Sequence, residues 1–497
     1  MLFGSLVFIF AFLPVALAGY HGLRLSGRQA AAKGWMVACS LVFYGWWDWR
    51  YLLLVGTSIA ANFQWSRLME RRPQARWMLG AGVAGNLLLL GYYKYANFFV
   101  HSVDTLTGLD WQVGRIVLPL AISFYTFQQI AYLVESRRDG KAAESFVDYA
   151  LFVLFFPHLI AGPITHHKEM LPQFAAAGSG RLPASYVRIG TAIFVLGLAK
   201  KVLLADGFAL LADPAFNAVR DGAVLGMADA WLGALAYTLQ LYFDFSGYSD
   251  MAIGLGLMFG ILLPVNFASP YKSTSVVEFW RRWHISLSRF LRNYLYISLG
   301  GNRHGTVRRY ANLMVTMALG GLWHGANWTF VLWGTLHGLY LVVNHAWNAL
   351  GPRKPAGPAE RGAGWLLTML AVIVAWVLFR AESFTSAASI LLSMAGWHGG
   401  AWNGPGTVEG FLFARPLGWT AVVAGWIVVT RLPSVLELAR YPQSTPGLPI
   451  EHDGIVPIRR SARPRAAATA AAAALGVVAA LAFARLPDPG VFLYFNF

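Results

Sequence analysis

Apolar residues run through this chain in long blocks, with few charges inside them and short basic stretches between. Blocks of membrane length predict helices. The pattern predicts spans at 1–20, 34–47, 51–65, 77–93, 115–134, 146–163, 187–205, 222–243, 248–264, 310–326, 328–347, 364–380, 416–430 and 466–484. Several are short for a full crossing, which points to re-entrant or half-buried helices among about 11–14 membrane-embedded ones. No linker divides the chain, so 1–497 reads as one domain. The first block lacks a basic leader and reads as a retained helix rather than a cleaved signal.

Composition agrees with this pattern. Hydrophobic residues make up 57% of the chain and charged ones 12%, where soluble proteins carry about 25% charged residues. The net charge of +16 would suggest nucleic acid in a soluble protein. Here the basic residues fall in short loops, so the excess reads as positive-inside topology and attraction to anionic lipid headgroups, with no nucleic acid. A cytoplasmic polyanion such as coenzyme A is compatible with it. Cys39 is the single cysteine, which excludes an internal disulfide, a thiolate metal cluster and paired-cysteine redox chemistry.

Lysine and arginine set the orientation. Arg24, Arg28 and Lys33, then Arg67, Arg71, Arg72 and Arg76, then Arg137, Arg138 and Lys141 mark cytoplasmic loops. The stretch 101–114 between them holds Asp104 and Asp110 and no basic residue. The N-terminus is therefore expected outside the cytoplasm. Arg440, Arg459, Arg460, Arg463 and Arg465 mark a last cytoplasmic loop, and the span at 466–484 would deliver the tail "VFLYFNF" to the outer face.

Within this pattern a few polar residues stand out. His324 sits in "GGLWHGAN", inside an apolar run, where a titratable ring needs a partner, a watery cavity or a task. Asn327, three residues on, reads as lying near one face of the same helix, as an oxyanion or substrate contact or as a capping residue. The segment 278–309 carries seven arginines and no acid after Arg281, interleaved with aromatic residues. It reads as one interfacial or re-entrant helix, ended by Gly300 and Gly301, that points His284 inward. Asp244 and Asp250 are intramembrane acids expected to pair with Lys200, Lys201 or a tunnel arginine. His166 and His167 read as loop residues, His337 and His345 as structural ones, and no histidine spacing suits a metal site.

The wording of these segments is specific. "YFDFSGYSDMAIGLGLMFGI" (242–261), "NFASPYKS" (266–273), "EFWRRWHISLSRFLRNYLYISLGGNR" (278–303) and "GGLWHGANWTFVLWGTLHG" (320–338) resemble the membrane-bound O-acyltransferase family, closest to its bacterial branch typified by alginate O-acetylation. "GYYKYANFF" (91–99), "FFPHLIAGPI" (155–164), "LAKKVLLAD" (198–206) and the terminal "FLYFNF" extend the resemblance over nearly the whole chain. Two positions depart from that branch: Asn293 stands where an acid is usual and Ser298 where a proline is usual.

The resemblance implies an all-helical, polytopic membrane fold ringing a central tunnel, with 278–338 as its catalytic region. A cytoplasmic acyl thioester would meet an acceptor hydroxyl that enters from the other side. His324 maps onto the family's histidine, and His284 onto its polar partner, which is Asn, Asp or His in different branches. Acyl transfer needs a base for the hydroxyl proton, which a neutral imidazole at position 324 would supply. The implied donor is acetyl-CoA, with no permanently bound cofactor, and the implied acceptor is a secreted polysaccharide such as alginate. An extracytoplasmic hydrolase-like partner would complete the transfer at the bacterial inner membrane, and Tyr494 is a candidate acyl relay in the tail. Peptidoglycan, teichoic acid or a lipid is an alternative acceptor. A polysaccharide-export channel is the alternative of another class, although the inverted repeats expected of a transporter are not seen in the sequence.

Overall fold

The computed structural model describes residues 1–108, 111, 114, 116–176, 182–350, 357–397, 408–439, 441, 465–486 and 493, with backbone alone over 408–415 and 465–473. Among the described residues the chain is helical, with short turns between helices and no strand. Its exterior is apolar: Leu53, Leu88, Leu106 and Trp77 are among many large side chains left exposed. Polar groups instead pair inside, as in the reciprocal amide bonds of Asn62 and Asn86 at 3.2 and 2.7 Å. An apolar outside around a hydrogen-bonded inside suits hydrocarbon rather than water. Two helices, Phe8–Leu25 and Pro358–Arg380, are each long and apolar enough to cross a bilayer.

The centre is the 32-residue helix Met227–Met258, about 48 Å long at 1.5 Å per residue. Every residue from Ala236 to Met258 is buried, the mark of a helix surrounded by others on all sides. Helix Ala184–Ala199 lies against it backbone to backbone. A Cβ on Gly197 would stand 2.7 Å from the Gly247 carbonyl oxygen, and one on Gly254 would stand 2.5 Å from that of Gly190. Small residues at both crossings let the two helices touch, as membrane helices require in the absence of a hydrophobic drive between them.

The sequence pattern predicts two spans here, 222–243 and 248–264, divided at the polar stretch Asp244–Gly247. The structure makes one helix, because those polar groups are satisfied from the side. Lys200 and Lys201 lie on a π-helical turn, Lys200–Ala205. Lys200 Nζ stands 2.7 Å from Asp250, and Lys201 Nζ stands 2.9 Å from Asp244 and 2.6 Å from Asp206. The predicted acid–lysine pairs are thus formed, and the helix need not break to solvate them.

Two other predicted elements are divided. The span at 146–163 becomes Phe146–Leu154 and Phe156–Leu159, since Pro157 lacks an N–H and its ring would clash with the carbonyl four residues back. The basic segment 278–309 is not one helix. It forms Val276–Arg282, Ile285–Phe290 and the π-helical Leu291–Tyr296, and its first break falls at His284.

Candidate active site

Helix Gly305–His324 ends on its histidine. Gly325 is extended, and Asn327 opens the next helix, Trp328–Ala349. The two helices form a tight hairpin: a Cβ on Gly321 would lie 2.2 Å from the Phe330 carbonyl oxygen, and one on Gly334 would lie 2.2 Å from that of Met317. Asn327 therefore does not share a helix with His324. Its Oδ1 accepts from the Thr329 N–H at 3.1 Å and its Nδ2 donates to the Glu382 carbonyl at 3.0 Å. Of the roles open to it in the sequence, the geometry supplies the helix cap.

The end of the histidine helix is held by two side chains that sequence reasoning missed. Lys94 Nζ donates to the Trp323 carbonyl at 2.5 Å and to Ser123 Oγ at 3.3 Å, and the Tyr95 hydroxyl donates to the Leu322 carbonyl at 3.0 Å. Carbonyls in the last turn of a helix lack intrahelical partners and carry partial negative charge, so a half-buried ammonium there is stabilising. Both residues belong to the quoted stretch "GYYKYANFF", where an intramembrane lysine was the signal available.

The His324 ring is buried between aromatic walls, with Trp323 and Trp333 at 5.0 Å and Phe379 at 5.3 Å between ring centroids. The His284 ring centroid is 6.3 Å away, so the two sequence-predicted histidines do come together. His284 is fully buried and carries φ 43° and ψ 53°. This left-handed conformation costs a non-glycine residue roughly 1–2 kcal/mol. Residues held this way cluster at functional sites, where the surrounding structure over-determines them. Asn266 supplies much of that support. Its Oδ1 faces His284 Nδ1 at 3.1 Å, the Ser286 N–H at 3.2 Å and Ser286 Oγ at 2.9 Å. Its backbone carbonyl accepts from the Ile285 N–H at 3.0 Å. Asn266 was also missed, lying unremarked in "NFASPYKS".

Two cavities lie along the histidine helix. One of about 120 Å³ is lined by His324, Trp323, Lys94, Ser123 and the apolar stretch 118–122. The other, about 650 Å³, is lined by Arg281, Arg292, Arg303, Arg309 and His345 together with Met317 and Leu341. Met317 is seven residues before His324 on one helix, hence about 10 Å along its axis. His337 is buried and accepts from the Trp280 indole at 3.2 Å.

Of the two histidines expected in a loop, His166 lies in an irregular segment and His167 opens the helix His167–Ala176; both are buried and face Glu135, at 3.3 and 2.9 Å. The Tyr294 hydroxyl donates to the same carboxylate, and Arg289 clamps Glu169 through two bonds at 2.7 and 3.1 Å. Here the pairing was invisible because Glu135 and Tyr294 are distant in sequence. Tyr494 lies outside the described residues. Its neighbour Leu493 donates its N–H to Asp244 Oδ2 at 3.0 Å.

A sequence profile of the membrane-bound O-acyltransferase family matches residues 111–390, more than half of the chain. The chain is 42% identical over 428 residues to a peptidoglycan O-acetyltransferase of Helicobacter pylori, covering 80% of each protein. It is 46% identical over 398 residues to a protein named as alginate O-acetylase AlgI of Pseudomonas aeruginosa, covering 78% of this chain and 73% of that one. A teichoic acid D-alanyltransferase of Streptococcus thermophilus is 30% identical over 260 residues, 49% of this chain and 60% of that protein. The chain belongs to the membrane-bound O-acyltransferase family: it is an all-helical, polytopic membrane protein and an acyltransferase.

Proposed function

We propose that this protein sits in the bacterial inner membrane and moves acetyl groups from cytoplasmic acetyl-CoA across it for O-acetylation of a secreted polysaccharide such as alginate, with His324 as the base. The observation that carries the reading is the pair of enclosed imidazoles, 6.3 Å apart, of which His324 lines a cavity one short helical stretch from an arginine-lined one. His324 takes the proton of the incoming hydroxyl, the oxygen attacks the thioester carbonyl, and the tetrahedral intermediate expels the thiolate. The imidazolium returns the proton to the leaving sulfur.

Four arginines on the second cavity suit the phosphates of coenzyme A, since guanidinium groups bind phosphate in a two-pronged way. The names of the relatives from Pseudomonas and Helicobacter support acetyl as the group moved. In this reading the two cavities are the ends of one tunnel, and both termini lie outside the cytoplasm. A hydrolase-like partner outside receives the acetyl group, with Tyr494 as its relay: a phenyl ester is activated enough to pass the group on.

The test is ester-linked acetate on the secreted polymer, in cells lacking the native protein and supplied with wild type, His324→Ala or Tyr494→Phe at matched membrane levels. Loss of acetate with normal polymer export in His324→Ala supports acyl transfer, and unchanged acetate removes His324 as the base. Loss of the polymer itself would favour an export channel. Normal acetate in Tyr494→Phe removes the relay. Peptidoglycan is the second reading of the acceptor, favoured by the 42% identity over 80% of both chains. Acetate found on muramic acid instead of the secreted polymer would select it.

A further inference from the structure

His284 is gripped by a group that can only accept at the contact in question. The Ser286 backbone N–H is an obligate donor and meets the Asn266 side chain at 3.2 Å, so the atom there is the carboxamide oxygen and not its NH₂. The Ser286 hydroxyl meets the same oxygen at 2.9 Å. The amide's other end faces Ser249 Oγ at 3.4 Å. An oxygen has no proton to offer, so the Nδ1 of His284 at 3.1 Å must carry one. A neutral imidazole holds a single N–H, and with that proton on Nδ1 its Nε2 is a lone-pair acceptor.

From this geometry we infer that Asn266 is a positioning residue of the acyl-transfer site, fixing His284 as the Nδ1–H tautomer. His284 then takes part in the reaction as a hydrogen-bond acceptor. The inference rests on the proposed function of the histidine pair and sharpens it. A thioester carbonyl oxygen only accepts, so neutral His284 gives it no hydrogen bond through Nε2. What Nε2 can hold is a proton-bearing group, and because the acceptor hydroxyl gives its one proton to His324, that group is the N–H of His324. His284 thus orients the nucleophile's side of the reaction rather than polarising the donor.

The grip and the backbone strain belong together. Asn266 lies in the stretch between the central helix and Pro270, and its carbonyl accepts from Ile285 just after the left-handed residue. Ala268 donates to the Arg282 carbonyl at 3.0 Å and its own carbonyl accepts from Arg282 Nη1 at 3.2 Å, closing the turn on the other side of His284. Phe245 stands edge-on to the His284 ring with centroids 4.7 Å apart. The side chain therefore has one orientation, and the carboxamide selects its proton position.

The test uses the full chain, labelled with ¹⁵N-histidine, in lipid nanodiscs. His284 resonances are identified by their absence in His284→Gln. In wild type the expected signature is a protonated Nδ1 and an unprotonated Nε2, which needs no variant to be folded. Asn266→Ala is expected to move the proton to Nε2 or to mix the tautomers. It should also lower turnover with a saturating acetyl donor by about 10- to 100-fold, the range seen when the outer partner of a functional imidazole is lost, while leaving the donor KM within about twofold. Asn266→Asp keeps an accepting oxygen and should retain the proton on Nδ1. A wild-type His284 protonated at Nε2 overturns the inference. So does Asn266→Ala with an unchanged spectrum and unchanged turnover. If the nanodisc protein shows the Nδ1–H signature yet transfers no acetyl to any acceptor, it is the functional reading that fails, and the tautomer assignment stands.

Discussion

Two of the buried polar clusters in this protein are built on opposite plans. Around Lys200 and Lys201 every charge meets its opposite within hydrogen-bond distance: Asp250 at 2.7 Å, Asp206 at 2.6 Å and Asp244 at 2.9 Å. The histidine pair is set instead among Trp323, Trp333, Phe379 and Phe245, with the Asn266 carboxamide at His284. The first cluster is internally compensated and stitches the central helix to its neighbour. The second is walled by aromatic rings, and its His324 lines a cavity, which is what a site for a reacting hydroxyl requires. A polar group buried in a membrane protein is thus sorted by what compensates it. A charge already neutralised holds the fold, whereas a neutral acid–base group facing a cavity is available for chemistry.

The sharpest way to break this contrast is to remove one member of each cluster. His324→Ala should lower acetyl transfer by about 10²- to 10⁴-fold, the share of a general base, with thermal stability close to wild type. Cys39 is the single cysteine and is buried, so a thiol-reactive fluorophore reports unfolding. Asp250→Ala should do the reverse, destabilising the protein by about 3–5 kcal/mol because Lys200 is left as an uncompensated buried charge. The double variant Lys200→Met/Asp250→Leu should recover most of that loss in the same unfolding assay. If it stays as unstable as the single variant, the pair is doing more than neutralising itself.

Smaller effects refine the picture. Gly197→Val should cost about 1–3 kcal/mol through overpacking, since its first side-chain atom already meets the Gly247 carbonyl at 2.7 Å. Whatever protein folds should keep its turnover. Asn327→Ala should cost about 1 kcal/mol for a lost helix cap, with kcat within about twofold. A kcat loss of about 10²- to 10³-fold would instead mark Asn327 as an oxyanion donor, and the capping assignment would be incomplete.

The helical class and the lysine–acid pairs were legible because lipid leaves a polar group few alternatives, and the histidine pair because 278–338 is so specific in wording. What sequence did not reveal has physical reasons too. A polar stretch reads as a boundary when its partners are unknown, so the helix through Asp244 was cut in two. Asn266 was hidden because an asparagine in an irregular segment usually serves its own turn, and only geometry reveals that its oxygen faces His284. Lys94 was hidden because its shortest bond goes to a backbone carbonyl, that of Trp323 at the far end of another helix, and carbonyls have no sequence signature. Asn327 was placed on the wrong helix because one glycine, Gly325, ends the first helix immediately after His324.

The left-handed backbone at position 284 also bears on how such a site can change over time. Asparagine, aspartate and histidine are the side chains, glycine aside, that most readily accept a positive φ. They are also the three residues that the family resemblance places at this position in different branches. The alphabet open to mutation there is set first by the torsion angles of the main chain and only then by reactivity. On that account His284→Asn should fold and keep the turn, while an isoleucine or valine, barred by its branched Cβ, is excluded before any question of catalysis arises.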